Sequence, residues 1–414
     1  MRPSTRRRRQ HAAERGFTLV ELMVAMVGGL FVSIAVFSLA KHASAFSMRQ
    51  SRIADATLQN VVGFERLKAD IARAGFLSSP NVARDRSVCR DPDDATYPAR
   101  LARLASVFIA PVAAANLSTE MTLNGLAPSS IVLSGSYSAN DQFVARNIVQ
   151  GSPSQVFLAP FSLGMANIGY PTDRTAATLS RVFTAGRALR IVDDEGRVQF
   201  ASITGVTGGD NPSITLAGSP NLKFRSGSNV RCGISGHGKN SVNVVNLIRY
   251  DLRNLNVGTE PGFRPMFRGG PTYEATRREL VREELDLNDV VMTGSLELIA
   301  EYAVDLGFSL LVAPNTTSLL TRVTGSSVAN YAGNPTTMLA GNGPQLIRGI
   351  NAWLSVRSQE ADRDTALGLT VTGSGPNLLR ISLNPTSGTL PPFARVRTLQ
   401  STIPLPNQAR ATWQ

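Results

Sequence analysis

The sequence predicts an α+β fold: a long N-terminal α-helix, its first half transmembrane, packed on a large, elaborated antiparallel β-sheet body. Three observations carry that reading. Phe17–Ala40 is apolar apart from one ionisable residue, Glu21. Ile53, Thr57, Val61, Phe64, Leu67, Ile71 and Ala74 then recur at three- and four-residue steps, the stripe of an amphipathic helix. After Gly75 the pattern shortens into about a dozen strand-length runs separated by turn residues.

Residues 1–16 read as a leader. They carry Arg2, Arg6, Arg7, Arg8, Arg9 and Arg15 against Glu14, a net of +5, which leaves +7 of the chain's +12 for the rest. The charge total therefore argues less for a nucleic-acid face than its raw value suggests. Cationic residues before an apolar run stay cytoplasmic, so the bulk of the chain is expected to be exported. A secretory signal has an apolar core of about 7–15 residues. Here the run is long enough to cross a bilayer as a helix. A cut near Ala43-Ser44-Ala45 is the alternative.

The helix is expected over 17–75, transmembrane over 17–40, and about 85–90 Å long. No proline interrupts residues 17–79; Gly75 and Pro80 supply the stop. Arg52, Asp55, Glu65, Arg66 and Asp70 fall mostly off the apolar stripe. Gly28-Gly29 permits bending or close helix approach, or is a pair of glycines simply tolerated in lipid.

The body, 76–414, has 35 glycines and 23 prolines in the whole chain behind its turn-rich reading. Ser78–Pro98 reads as turns, and Leu101–Asn116 as a short helix or a covering loop. Strands are expected at Ser130–Ser134, Gln142–Val149, Gln155–Leu158, Leu189–Asp193, Val198–Ile203 and Ser213–Leu216. More follow at Val242–Leu252, Glu274–Arg282, Tyr302–Ser309, Leu346–Arg357, Asn377–Leu383 and Ala394–Ser401. Asp193-Asp194-Glu195-Gly196 turns a hairpin. Ser295–Glu301 reads as a brief helix, and the body is one domain, or two with a boundary near 255–272.

Residues that usually carry chemistry are sparse. The histidines are His11, His42 and His237, and His237 sits in a glycine-flanked segment read as a flexible loop. Gly233-Ile234-Ser235-Gly236 lacks the spacing of a nucleophile elbow. Asp91, Asp93 and Asp94, and Asp193, Asp194 and Glu195, have calcium-type oxygens without EF-hand spacing, and read as solvated turn acids. Glu283 and Glu284 face opposite ways on a strand. The expectation is no enzyme, no cofactor and no metal. Cys89 and Cys232 form a disulfide across a long loop in an exported body, or stay unpaired.

Gly16-Phe17-Thr18-Leu19-Val20-Glu21 resembles the prepilin cleavage and methylation motif of type IV pilins and type II secretion pseudopilins. Further on, Phe64–Phe76 is similar to the "L-x-x-D-I-R-x-A-G-[YF]" segment of the PilW-type minor pilins. Val245–Tyr250, Leu280–Glu284, Ile347–Ser358 and Ala394–Leu405 resemble later strands of that family more loosely. Residues 84–130 and 310–345 fit no such pattern.

The resemblance implies a pilin-like fold and cleavage after Gly16 by a prepilin peptidase, with methylation of the new amine at Phe17. Glu21 is then the residue that registers a subunit in the filament, beside a neighbour's ammonium. The implied role is a structural minor pilin in the priming or tip complex of a type IV pilus, with pilus functions such as adhesion and twitching motility. Implied partners are the peptidase, other major and minor pilins, the inner-membrane assembly platform and the lipid bilayer. The implied location is the inner membrane, single-pass with the body in the periplasm, and then the pilus. A secretion-system pseudopilin and a tip receptor for DNA or surfaces are the alternatives; nucleic acid is a partner only in the last.

Overall fold

The fold is taken from a computed structural model that describes residues 17–82, 84–88, 104–218, 222–225, 233–255, 262–263, 276–313, 320–333, 342–359, 375–383 and 393–408. It is α+β, with a long N-terminal helix and a large antiparallel body. Contacts divide it into two units, Met1–Asp55 and Ala56–Gln414. Helix α1 runs over Leu19–Ala72.

Within the second unit, the end of α1 buries Asn60, Phe64, Leu67, Ile71 and, just beyond it, Ala74. Gly63 brings the helix backbone against a strand: a Cβ there would lie 2.7 Å from the Ile299 carbonyl oxygen. The buried face therefore centres on 60, 63, 64, 67, 71 and 74. Val61, expected on the stripe, is rotated about 100° from its neighbour Asn60 and is exposed. The side chains of Ile53, Arg52 and Asp55 lie outside the described residues. Asp70 corrects the expectation in the other direction, because it is buried.

The body opens with β1 (Val107–Pro111), β2 (Ser129–Gly135), β3 (Phe143–Val149) and β4 (Gln155–Leu158). β5 (Ala188–Val192), β6 (Val198–Thr207) and β7 (Ser213–Leu216) follow, then the long β8 (His237–Arg253), β9 (Glu279–Leu285) and β10 (Glu297–Ala300). β8 has two jobs. Its first half pairs with β3 on one side and β5 on the other, closing the ring β8-β3-β4-β7-β6-β5. Val242 and Val244 point into that barrel among Phe143, Leu158, Leu189, Ile203 and Ile214. Its second half lies between β2 and β9 in the sheet β1-β2-β8-β9-β10. The barrel is thus inserted between two strands, β2 and β8, that pair directly.

A second sheet has the order β12-β11-β13-β15-β14, with β11 at Ala303–Val312, β12 at Thr321–Val323, β13 at Ile347–Arg357, β14 at Arg380–Ser382 and β15 at Phe393–Pro404. The main core lies where α1 (Phe64, Leu67, Ile71), the first sheet (Leu133, Tyr250, Leu280) and the second (Leu306, Ile350, Leu354) meet. The chain passes from first sheet to second at Tyr302, whose φ is 55°. The guanidiniums of Arg277 and Arg357 lie 4.4 and 5.0 Å from its ring centroid, an arrangement that favours the cation over the ring face. Asn124 exchanges side-chain hydrogen bonds with both backbone groups of Ser382, covering the edge of β14.

Three local expectations are corrected. Leu101–Asn116 contains strand β1, because Val107 and Ile109 alternate inward against β2. Ser295–Glu301 contains β10, an edge strand whose Leu298 sits opposite Val281. His237 begins β8 opposite Asn147 and is not in a flexible loop. Most of 255–272 lies outside the described residues.

Asp70 fixes the helix to the sheet. Arg282 Nε donates to its Oδ2 at 2.7 Å and the Tyr250 hydroxyl donates to the same oxygen at 2.9 Å. The Tyr137 hydroxyl donates to the Asp70 carbonyl at 2.9 Å. Burial, then the Asp70 charge, hold the Tyr250 hydroxyl well above its ordinary pKa, so it stays a donor. A carboxylate in the last turn of a helix opposes the macrodipole, and Arg282 compensates it. Arg282→Met leaves a buried charge unpaired and should cost about 3–5 kcal/mol. Asp70→Asn, which leaves no buried anion, should cost less; thermal unfolding of the full chain in detergent checks the order.

On the outer side of the second sheet, Trp353 Nε1 donates to Asp305 Oδ2 at 2.9 Å, and its ring occupies the space that a Cβ on Gly307 would need. Burial raises the Asp305 pKa. A carboxyl whose folded pKa exceeds its unfolded value destabilises the fold above the folded pKa, and the penalty fades as pH falls through it. Asp305→Asn keeps an acceptor for the indole. It should raise the melting temperature at pH 8, with the gain shrinking on acidification.

Candidate functional site

Leu19–Ser44 is a 26-residue helical span, long and apolar enough to cross a membrane. It would be about 39 Å long, against a hydrocarbon thickness of about 30 Å. Its described side chains are exposed, which suits a lipid or helical environment. Gly28 and Gly29 have nothing within 4 Å of an added Cβ. Ser33 satisfies its hydroxyl within the helix by donating to the Gly29 carbonyl at 2.8 Å.

The first turn contains a detail that sequence reading missed. Thr18 precedes the first helical residue, and Glu21 lies three residues on. The Thr18 N–H donates to Glu21 Oε2 at 3.2 Å, and the Thr18 hydroxyl donates to the same oxygen at 3.2 Å. The Glu21 N–H donates back to Thr18 Oγ1 at 3.3 Å. This is a reciprocal capping box, which satisfies two N–H groups that every helix leaves orphaned. The signal was in the sequence: Thr-x-x-Glu before an apolar run. The carboxylate's two hydrogen bonds fall on Oε2.

The other candidates behave as follows. Phe17 is 80% exposed at the head of the helix. Gly16, Cys89 and Cys232 lie outside the described residues, as do Asp91, Asp93 and Asp94. Asp193 Oδ1 accepts from the Glu195 and Arg197 N–H groups at 3.0 and 2.8 Å, within the hairpin between β5 and β6. Glu195 pairs with Arg197 and Arg225. Glu283 meets Arg249 and Arg253, whereas Glu284 takes a two-pronged bond from Arg187 at 2.6 and 2.8 Å and another from Asn246 at 2.5 Å. The two glutamates do face opposite ways, each toward arginine. Among the described residues no three or more His, Cys, Asp or Glu side chains gather to hold a metal.

Residues 11–27 match the family model described as a prokaryotic N-terminal methylation motif. No curated protein and no solved structure matches the chain. The matched segment contains Gly16, Phe17, Thr18 and Glu21. It implies processing by a prepilin peptidase and assembly with other pilins, and the one membrane-length apolar helix among the described residues is consistent with an inner-membrane anchor. The motif and the helix-plus-antiparallel-body fold support a type IV pilin-like protein.

Proposed function

We propose that the chain is a PilW-type minor pilin, a structural subunit that takes part in type IV pilus assembly from the priming or tip complex. The observation that carries this reading is Gly16-Phe17-Thr18-Leu19-Val20-Glu21 at the head of an apolar, membrane-length helix. The leader arginines hold the N-terminus in the cytoplasm and send the body to the periplasm. Cleavage after Gly16 exposes an amine at Phe17. The helix then exchanges lipid for the helices of neighbouring pilins.

Glu21 gives that exchange a direction. A carboxylate in hydrocarbon is costly, and a cationic partner offsets the cost. A neighbour's Phe17 ammonium is such a partner. The size of the body favours the tip, because a large domain crowds its neighbours in a repeating shaft. Inner-membrane assembly proteins and the bilayer complete the set of partners, and the role is structural, not catalytic.

The test is to fractionate cells and recover the chain from sheared surface filaments. Recovery with pilus filaments supports the reading; recovery only with a secretion apparatus supports the pseudopilin alternative and overturns this one. Glu21→Ala should leave the chain in the membrane fraction while filament number falls roughly tenfold, the factor for about 1.4 kcal/mol per contact. An unchanged filament number contradicts the role given to Glu21.

A further inference from the structure

We propose that Asn342 is a site of spontaneous covalent modification. The Gly343 nitrogen attacks the Asn342 Cγ, ammonia leaves, and water opens the resulting succinimide to aspartate or isoaspartate. The chain has two Asn-Gly pairs, Asn124-Gly125 and Asn342-Gly343. In such a pair the attacking nitrogen belongs to a residue without a Cβ, so it reaches the carboxamide with little steric hindrance. The structure treats the two pairs in opposite ways.

Asn124 is held at both ends of its carboxamide. Its Nδ2 donates to the Glu120 carbonyl at 2.7 Å and to the Ser382 carbonyl at 2.8 Å, and its Oδ1 accepts from the Ser382 N–H at 3.1 Å. The attacking group is engaged as well, since the Gly125 N–H donates to the Thr122 carbonyl at 3.1 Å. Ring closure at Asn124 must first break these bonds. Asn342 is exposed, and among the described residues its carboxamide has no hydrogen-bond partner. Packing requires glycine at 343: a Cβ there would overlap Gln345 Oε1 and lie 2.9 Å from Asn81 Nδ2. The contact that keeps glycine at 343 therefore keeps the reactive pair.

The consequence lies in the backbone. Isoaspartate carries the main chain through its side-chain carbon, one carbon longer, directly before Gly343. The Gly343 carbonyl accepts from the Leu346 N–H at 3.0 Å and closes the turn Pro344–Leu346, which feeds β13. Within that turn Gln345 is buried, and its Oε1 accepts from the buried Asn81 Nδ2 at 2.9 Å. This bond joins the segment behind α1 to the entry of the second sheet. A lengthened main chain displaces the turn that holds it, whereas plain aspartate adds only an exposed charge.

The experiment incubates the purified full-length chain in detergent at mildly alkaline pH, folded and unfolded in urea. Peptide mass spectrometry follows the exchange of NH2 for OH at both asparagines, and isoaspartyl methyltransferase labels the isoaspartate. In the folded chain Asn342 should react at least about tenfold faster than Asn124, the factor for about 1.4 kcal/mol, the net size of one or two of the hydrogen bonds that hold Asn124. In urea the two rates should converge, because the hydrogen bonds are gone. After incubation the isoaspartyl chain should melt at a lower temperature than Asn342→Asp, which has the charge and an ordinary backbone. Asn342→Gln should keep its melting temperature through the incubation. Equal rates at the two asparagines in the folded chain, or reaction of Asn342 only in urea, overturns the proposal. An isoaspartyl chain as stable as Asn342→Asp overturns the consequence drawn for the turn.

Discussion

The body is organised around the ion pair of Asp70 with Arg282. A buried carboxylate near the end of a helix is tolerable only with a cation and a second donor in place, and β9 and β8 supply them as Arg282 and Tyr250. That requirement fixes where the end of α1 meets the sheet. It also fixes β8, and β8 is the strand that the barrel and the sheet share. The helix end, β8 and the second sheet all contribute side chains to the main core. Arg187, just before the barrel's β5, reaches Glu284 on β9 and ties the inserted barrel to the same strand pair.

The first unit obeys a different solvent. Between Leu19 and Ser44 two polar side chains find partners on their own chain: Ser33 on a carbonyl one turn back, Glu21 on Thr18. The two units answer the same question, where a carboxylate finds its donors, with different means. In the body a neighbouring strand brings an arginine. In the apolar span the chain's own first turn supplies a hydroxyl and an amide.

Much of this was legible in the sequence. The apolar span, the unbroken helix and most strands follow from residue periodicity, because burial enforces it. The hairpin at Asp193–Gly196 follows from turn chemistry. What escaped notice depends on tertiary partners. Asp70 reads as a solvated residue until Arg282 is brought to it from β9. β10 reads as helical because an edge strand covered by a helix keeps little alternation. The closure of a barrel on β8 needs one strand to serve two neighbours on each side, which no local pattern records. Thr18 is the exception: its capping signal is local and short, and was hidden by the more conspicuous glutamate.

The central claim is that the apolar helix is a processed anchor, lodged first in lipid and then among other pilins. The mass of the N-terminal peptide from native cells, with and without the prepilin peptidase, tests it most directly. The account predicts a chain beginning at N-methylated Phe17 when the peptidase is present and a complete leader when it is absent. A leader retained in the presence of the peptidase, or a chain starting near Ala45, would contradict it.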